Sequence, residues 1–179
     1  MKSRVLNVEK REKWISLLQE MQSDIDPQTV RLMDKMRRVA HALYQLGESS
    51  LASAGLSFAR FRLLMSLLVS EELDGRQELN PSEISARQGI SRNTVSTLIR
   101  DLEREGLIER HLDNDDRRRF NIRLTQAGRS LVRDNASQHY HIIAGCFDVL
   151  TSEEQENLNR VLTKLDASIT ETRESLDKR

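Results

Sequence analysis

A single glycine between two short helical segments constrains the fold of this chain more than any other feature. Pro81-Ser82-Glu83-Ile84 predicts the start of a short helix, and Gly89 ends it because glycine adopts positive φ without steric cost. Ile90 fills the turn, and Ser91 is placed to cap the next helix, since a serine oxygen accepts free N–H groups of a first turn. A short helix, a glycine turn and a capped second helix predict a helix-turn-helix.

The second of these helices has two different faces on a helical wheel. The face predicted to pack inward is apolar and consists of Val95, Leu98, Ile99 and Leu102. The opposite face is polar and basic and holds Asn93, Thr97, Arg100 and Arg104, with Ser96 on the flank. No acidic residue occurs from Ser91 to Arg100, and the helix dipole adds attraction for phosphate at the N-terminus. Because Arg and Asn read guanine and adenine edges in the major groove, this face predicts DNA contact. The alternative is an ordinary surface helix that is polar for solubility.

Two alternating runs follow the second helix. Leu107–Leu112 and Phe120–Leu124 alternate in polarity, and the polar stretch 113–119 between them contains three consecutive arginines. Such runs predict a β-hairpin with a projecting loop. A basic wing beside a helix-turn-helix can reach a minor groove, and narrow minor grooves attract Arg. The alternative for the arginines is a solvated charge run.

The remaining segments carry helical periodicity. Residues 8–23 place Trp14, Leu18 and Met21 on one face, which we expect to brace a dimer; the alternative is a disordered leader. Pro27 opens a second helix that ends near Gly55. The seam of that helix is Leu32, Met36, Val39, Leu43 and Leu46. A third helix covers about 58–71 and precedes a loop at 74–78.

The last third of the chain predicts two further helices. Thr125 can cap one that runs to about Val149, and Thr151 with Glu154 forms a capping box for the other. The seam of the last helix is Leu158, Val161, Leu162, Leu165 and Ile169. The predicted fold class is therefore mainly α with a small β-hairpin wing: a winged helix-turn-helix flanked by N- and C-terminal dimerisation helices.

These elements predict four regions. They are an N-terminal helical extension (1–26), a dimerisation helix (27–57), a winged helix-turn-helix DNA-binding domain (58–125) and C-terminal dimerisation helices (126–179). The apolar seams would leave an exposed patch larger than soluble monomers tolerate, so we expect a homodimer.

Composition excludes several classes of protein. Only two prolines and seven glycines occur in 179 residues, which favours long helices. The 28 basic and 28 acidic residues balance to a net charge of +0, which says nothing about local basic patches. The N-terminus lacks a long apolar run and no stretch reaches membrane-span length, so we expect a cytoplasmic protein outside the membrane.

The chemistry-bearing residues outside this block are few. Cys146 is the single cysteine, and we expect a buried structural thiol in preference to an exposed redox sensor. His139 and His141 are two apart and would point in different directions on a helix, so we expect no metal site. No catalytic motif occurs, so we expect no enzyme activity and no cofactor.

Residues 79–128 resemble the MarR (multiple antibiotic resistance regulator) family. The resemblance rests on Ile90–Ser96, Leu102–Arg110, the wing Asp113–Arg118 and the motif Leu124-Thr125-x-x-Gly128, and residues 28–172 fit the family layout. This sequence departs from the family pattern at two positions: Asn114 replaces the usual wing proline, and Gln88 stands where the family usually has Leu. The segment before Pro27 also exceeds the family's minimal length.

The resemblance implies roles for individual residues. Arg118 is the wing-tip residue that enters the minor groove, and Asp116 helps to hold the loop. The residues expected to contact double-stranded DNA are Arg92, Asn93, Thr94, Ser96, Thr97, Arg100, Arg117, Arg118 and Arg119. Many family members release DNA when a small molecule enters a cleft. The residues on the segments that would line it here are His41, Tyr44, Phe58, Arg60 and Arg62, whose alternative role is packing and solvation.

The expected function is that of a sequence-specific transcriptional regulator, most often a repressor, which binds an inverted-repeat operator as a homodimer. The alternative is a winged-helix module for protein–protein interaction without DNA readout. The presence of Asn93, Thr97, Arg100 and Arg118 argues against this alternative, because the cores of protein–protein interfaces are depleted of charge.

Overall fold

The computed structural model describes residues 8–21, 24, 26–112 and 119–178. The helices are α1 (Val8–Met21), α2 (Pro27–Leu51), α3 (Phe58–Leu73), α4 (Pro81–Gln88), α5 (Arg92–Arg104), α6 (Gln126–Gly145) and α7 (Ser152–Asp177). A short 3₁₀ turn, Ala52–Ala54, follows α2, and the strands are β1 (Ile108–Leu112) and β2 (Phe120–Leu124). The predicted fold class, mainly helical with one hairpin, is confirmed.

Capping side chains set the start of each central helix. Asn80 accepts hydrogen bonds from the backbone of Ser82 and Glu83, and the Glu83 carboxylate accepts one from the N–H of Asn80. Gly89 ends α4 with a φ of 65°, a left-handed conformation that glycine adopts without a Cβ penalty. The predicted helix, glycine turn and second helix are therefore present.

Residues 1–49 form one compact unit, which contains α1 and most of α2. Ile15 and Val30 are buried, and the carboxylate of Glu12 accepts a hydrogen bond of 3.0 Å from Arg31. Trp14 and Met21, which the spacing placed on the bracing face, are exposed in this chain. The segment is helical, and its role in bracing a dimer stays a prediction.

Residues 50–179 form the second compact unit, with α3 at the centre of its core. The largest buried side chains of α3 are Phe61, Leu63, Leu64 and Leu67. β1 and β2 pair antiparallel, from Ile108 opposite Leu124 to Leu112 opposite Phe120. Leu79 forms an isolated antiparallel β-bridge with Ile122: its N–H donates to the Ile122 carbonyl oxygen, and its own carbonyl oxygen accepts from the Ile122 N–H. The sequence had predicted only a loop before α4.

The first of the two C-terminal helices ends earlier than the sequence predicted. α6 ends at Gly145, not near Val149, and Cys146 is its C-cap residue. The prediction of a buried Cys146 is wrong: the thiol is exposed because it lies at the corner between two helices. Every residue of α7 whose side chain is described is exposed, including its apolar seam.

Among the described residues, no single helix combines the length and apolar composition that a membrane span requires. One pair of helices, Pro27–Ala54 with Phe58–Leu73, meets that requirement only when the two are taken together.

Candidate nucleic-acid interface

The recognition helix α5 is fixed to the core by one apolar face. Val95, Ile99 and Leu102 are buried, and Leu98 is half-buried against the same core. Burying a side chain of this size contributes about 1.5–3 kcal/mol relative to leaving it exposed. The predicted inward face is confirmed, and the helix therefore presents its opposite face to solvent in a defined orientation.

The outward face of α5 carries all the residues that the sequence assigned to DNA contact on this helix. All are exposed: Arg92, Asn93, Thr94, Ser96, Thr97 and Arg100. The Ser91 hydroxyl caps the helix by accepting from the Thr94 N–H at 3.2 Å. Ser96 and Thr97 donate their hydroxyl protons to carbonyl oxygens one turn back, so their oxygens keep free acceptor lone pairs.

Among the described residues, Arg92 and Arg100 on this face lack the ion-pair partner that the neighbouring Arg104 has. In the described part of the chain, no carboxylate forms an ion pair with Arg92 or Arg100. Arg104, in contrast, lies 3.3 Å from Asp101. The exposed face of α5 from Arg92 to Arg100 is therefore positively charged, and at the N-terminus the helix dipole adds to the attraction for anions. Such a surface attracts a phosphate backbone and can donate to base edges.

The turn between α4 and α5 is closed by side-chain hydrogen bonds. Ser85 donates to the carbonyl oxygen of Ile90 at 2.6 Å, and Arg62 donates to the carbonyl oxygen of Gln88 at 3.2 Å. The Gln88 side chain is 7% exposed, and its Nε2 has no hydrogen-bond partner among the described residues. Where the family usually has Leu, this chain therefore buries an amide, which is less favourable than burying an apolar side chain.

The base of the wing is described, whereas its tip is not. Asp116, Arg117 and Arg118 lie outside the described residues; Arg119, next to β2, is exposed. At the base, Arg110 contacts both Glu103 of α5 and the ring of Phe120. The DNA contacts assigned to the wing tip therefore stay predictions.

The five residues proposed for a ligand cleft are divided between the two compact units. His41 and Tyr44 are exposed on α2. In the second compact unit, Arg60 pairs with Glu105 at the end of α5, and the guanidinium carbon of Arg62 lies 5.9 Å from the ring centroid of Phe58. The α3 residues thus have packing and ion-pairing roles, and a role in ligand binding stays a prediction.

A buried histidine in the second unit is a feature that the sequence analysis missed. His139 is 2% exposed, its Nδ1 lies 2.7 Å from the Ser50 hydroxyl, and its ring centroid is 4.7 Å from that of Phe61. Burial lowers the pKa of His139. Its spacing of three and seven residues from Ala136 and Val132 on the inward face of α6 was the available signal. Among the described residues, no group of three metal-ligating side chains occurs.

Comparison with known sequences gives one consistent family. A family profile described as the MarR family matches residues 54–119. The transcriptional repressor YetL of Bacillus subtilis is 24% identical over 146 residues, which cover 82% of this chain and 85% of YetL. The transcriptional repressor MprA of Escherichia coli is 28% identical over 102 residues, which cover 57% of this chain and 58% of MprA.

Solved structures agree with this result. MepR of Staphylococcus aureus, in complex with DNA, is 30% identical, with a TM-score of 0.67; the match covers 76% of this chain and 96% of MepR. A mutant MarR from E. coli, complexed with operator DNA, is 18% identical with a TM-score of 0.69, covering 79% and 98% of the two chains. This second likeness concerns the fold alone.

Proposed function

This chain belongs to the MarR family of winged-helix DNA-binding regulators, and we propose that it represses transcription as a homodimer on an inverted-repeat operator. The family comprises transcriptional regulators and not enzymes. YetL and MprA are named repressors, and MepR is known in complex with DNA. We place the protein in the cytoplasm because its proposed partner is double-stranded DNA.

One observation carries the proposal: the exposed face of α5 holds two arginines that no described carboxylate compensates. Burial of Val95, Ile99 and Leu102 directs this face outward, so its polar groups meet solvent or a ligand. The alternative function, a protein–protein module, would need an exposed face poorer in charge and richer in aromatic residues. The composition of the α5 face therefore favours DNA readout.

The homodimer is supported by apolar surface that the single chain leaves uncovered. The apolar seam residues of α7, Leu158, Val161, Leu162, Leu165 and Ile169, are each more than a third exposed. A 26-residue helix with this pattern gains most of its stability from packing its apolar stripe against a partner. A two-fold dimer would place two copies of α5 about 34 Å apart, one turn of B-DNA. Release from DNA by a small molecule stays a prediction from the family resemblance.

The direct test is selection of bound duplexes from a random DNA pool with the full-length protein. We expect an inverted-repeat consensus whose half-sites are spaced by about one helical turn. An asymmetric consensus, or recovery of no sequence above background, would contradict the proposal. The same selection with Arg92→Ala/Arg100→Ala tests whether the basic face of α5 carries the readout, with Arg133→Ala, an exposed arginine of α6, as the control.

A further inference from the structure

Arg110 links β1 to α5. Among the described residues, no other ion pair links these two elements. Arg110 lies on β1, and its Nε donates to the carboxylate of Glu103, in the last turn of α5, at 2.8 Å. Its guanidinium carbon also lies 4.9 Å from the ring centroid of Phe120 on β2. A planar guanidinium can pair with a carboxylate at its edge while it stacks on a ring.

This contact lies in the middle of the hairpin, where burial of the apolar side chains declines toward the loop. Ile108 and Ile122 are buried at the base, Phe120 is half-buried, and Leu112, the last residue of β1, is 68% exposed. Leu79 bonds to the backbone of Ile122 and reaches no further toward the loop. At the level of Ile122, its direct cross-strand partner, Arg110 adds a polar tie between the hairpin and α5.

The hairpin contains a matched pair that lacks this connection. Arg123 on β2 pairs with Glu109 on β1, and the two residues are direct cross-strand partners. Their side chains are 36% and 44% exposed, against 35% and 39% for Arg110 and Glu103. The two pairs therefore share chemistry and exposure, but only the Glu103–Arg110 pair reaches the recognition helix.

We propose that Arg110 and Glu103 are positioning residues that hold the wing at a fixed angle to α5, so that helix and wing engage adjacent grooves of DNA together. This proposal rests on the DNA-binding function proposed above. Arg110 acts through the wing and not by direct contact, because Glu103 already compensates its charge. A flexible wing would have to be ordered on binding, and the associated loss of entropy would weaken the complex.

The Glu103→Met variant tests this proposal against simple electrostatics. The substitution removes a negative charge near DNA, so phosphate attraction alone would strengthen binding. Loss of the tie predicts the opposite: the operator dissociation constant rises by at least about fivefold, the low end for one lost specific contact. Glu109→Met removes the same charge from β1 and leaves the contact between the hairpin and α5 in place, and we expect it to leave affinity unchanged or to raise it. Tighter binding by Glu103→Met, or equal weakening by both variants, would overturn the proposal.

A double-mutant cycle with Arg118→Ala separates positioning from general destabilisation. If Glu103 acts through the wing, Glu103→Met should weaken binding by less than about twofold once the wing-tip arginine is gone, because coupled residues are not additive. An unchanged fivefold loss in that background would show a structural effect that does not pass through the wing and would overturn the proposal.

Hydrogen exchange without DNA distinguishes failure of this proposal from failure of the proposed function. We expect backbone amides of residues 110–112 and 119–121 to exchange faster in Glu103→Met than in Glu109→Met, since local opening follows the loss of tertiary contacts. If the wild-type protein selected no DNA, the proposed function would fail, yet this comparison would still show whether Glu103 orders the wing. Equal exchange in the two variants would refute the tie itself.

Discussion

Gly128 packs directly against the backbone carbonyl of Leu107. A Cβ at position 128 would lie 2.1 Å from the Leu107 oxygen, inside any allowed contact distance. Thr125 reinforces the same junction: its N–H donates to the Leu107 oxygen at 3.1 Å, and its hydroxyl donates to the Gly106 oxygen at 2.7 Å. The Leu-Thr-x-x-Gly motif therefore fastens the start of α6 to the turn between α5 and β1.

Gly128→Ala should destabilise the fold although alanine favours helices. Helix propensity would gain about 1 kcal/mol, but the clash is with backbone that cannot rotate away, and overpacking typically costs about 1–3 kcal/mol or more. We expect a lower midpoint in urea unfolding. Gly145→Ala is the control, because its Cβ would meet only an Asp148 oxygen at 3.9 Å. A Gly128→Ala variant as stable as the Gly145→Ala variant would contradict the close packing.

Arg100→Ala should relax the DNA preference at one or two positions of each half-site. Arg100 is exposed on α5 without a described carboxylate partner, so its guanidinium is available to a base edge or a phosphate. A bidentate base contact is worth about 1–3 kcal/mol per half-site. Binding to operators with single-position changes measures the effect, with Arg133→Ala of α6 as the control. Unchanged preference at every position would remove Arg100 from the readout.

Arg118→Ala should weaken binding most on operators with A·T-rich flanks. Such steps narrow the minor groove and increase its attraction for arginine. The slope of log K against log salt should fall by about one per lost charge contact. Titrations at several salt concentrations, on operators with A·T-rich and G·C-rich flanks, measure both effects. Affinity equal to wild type at every salt concentration would show that the wing does not touch DNA through this residue.

The stability of the fold should depend on the ionisation of His139. Burial lowers the pKa of His139, so the unfolded chain binds more protons than the folded chain between that lowered pKa and the ordinary value of about 6.5. This contribution is therefore fully present above about pH 6.5 and is lost as the pH falls through that value, until the lowered pKa is reached.

Urea unfolding of His139→Gln and wild type across this pH range checks the prediction. The free energy of unfolding of wild type should decline more steeply toward acid than that of the variant. His141→Gln, which changes an exposed histidine two residues along α6, should retain the wild-type slope. Parallel curves for wild type and His139→Gln would contradict the prediction.

The apolar seam of α7 should hold the dimer together. Leu162→Asp places a charge in the middle of that seam, and desolvating it would cost several kcal/mol, so dimerisation should weaken by at least about tenfold. Sedimentation velocity at micromolar concentration measures the change. Thr163→Asp adds the same charge on another side of the exposed helix and should leave the dimer intact. A monomeric wild-type protein at that concentration would refute the dimer.

The sequence determined those features that depend on local chemistry. Gly89 and Ser91 set the turn and the start of α5, since positive φ and an N-cap need only the residues that provide them. Likewise, the alternation of Phe120, Ile122 and Leu124 identified β2 and its inward face. Such patterns can be recognised in a single sequence because each involves residues within about four positions of one another.

Only the tertiary structure decided which distant groups meet. It brought Glu103 to Arg110, the carbonyl of Leu107 to Gly128 and Ser50 to His139, although periodicity shows which face is buried and not what lies opposite. It also placed Cys146 at an exposed corner, because the end of α6 depends on where the chain turns into α7. The angle between wing and recognition helix belongs to this second class, since contacts between separate elements fix it and no local pattern encodes it.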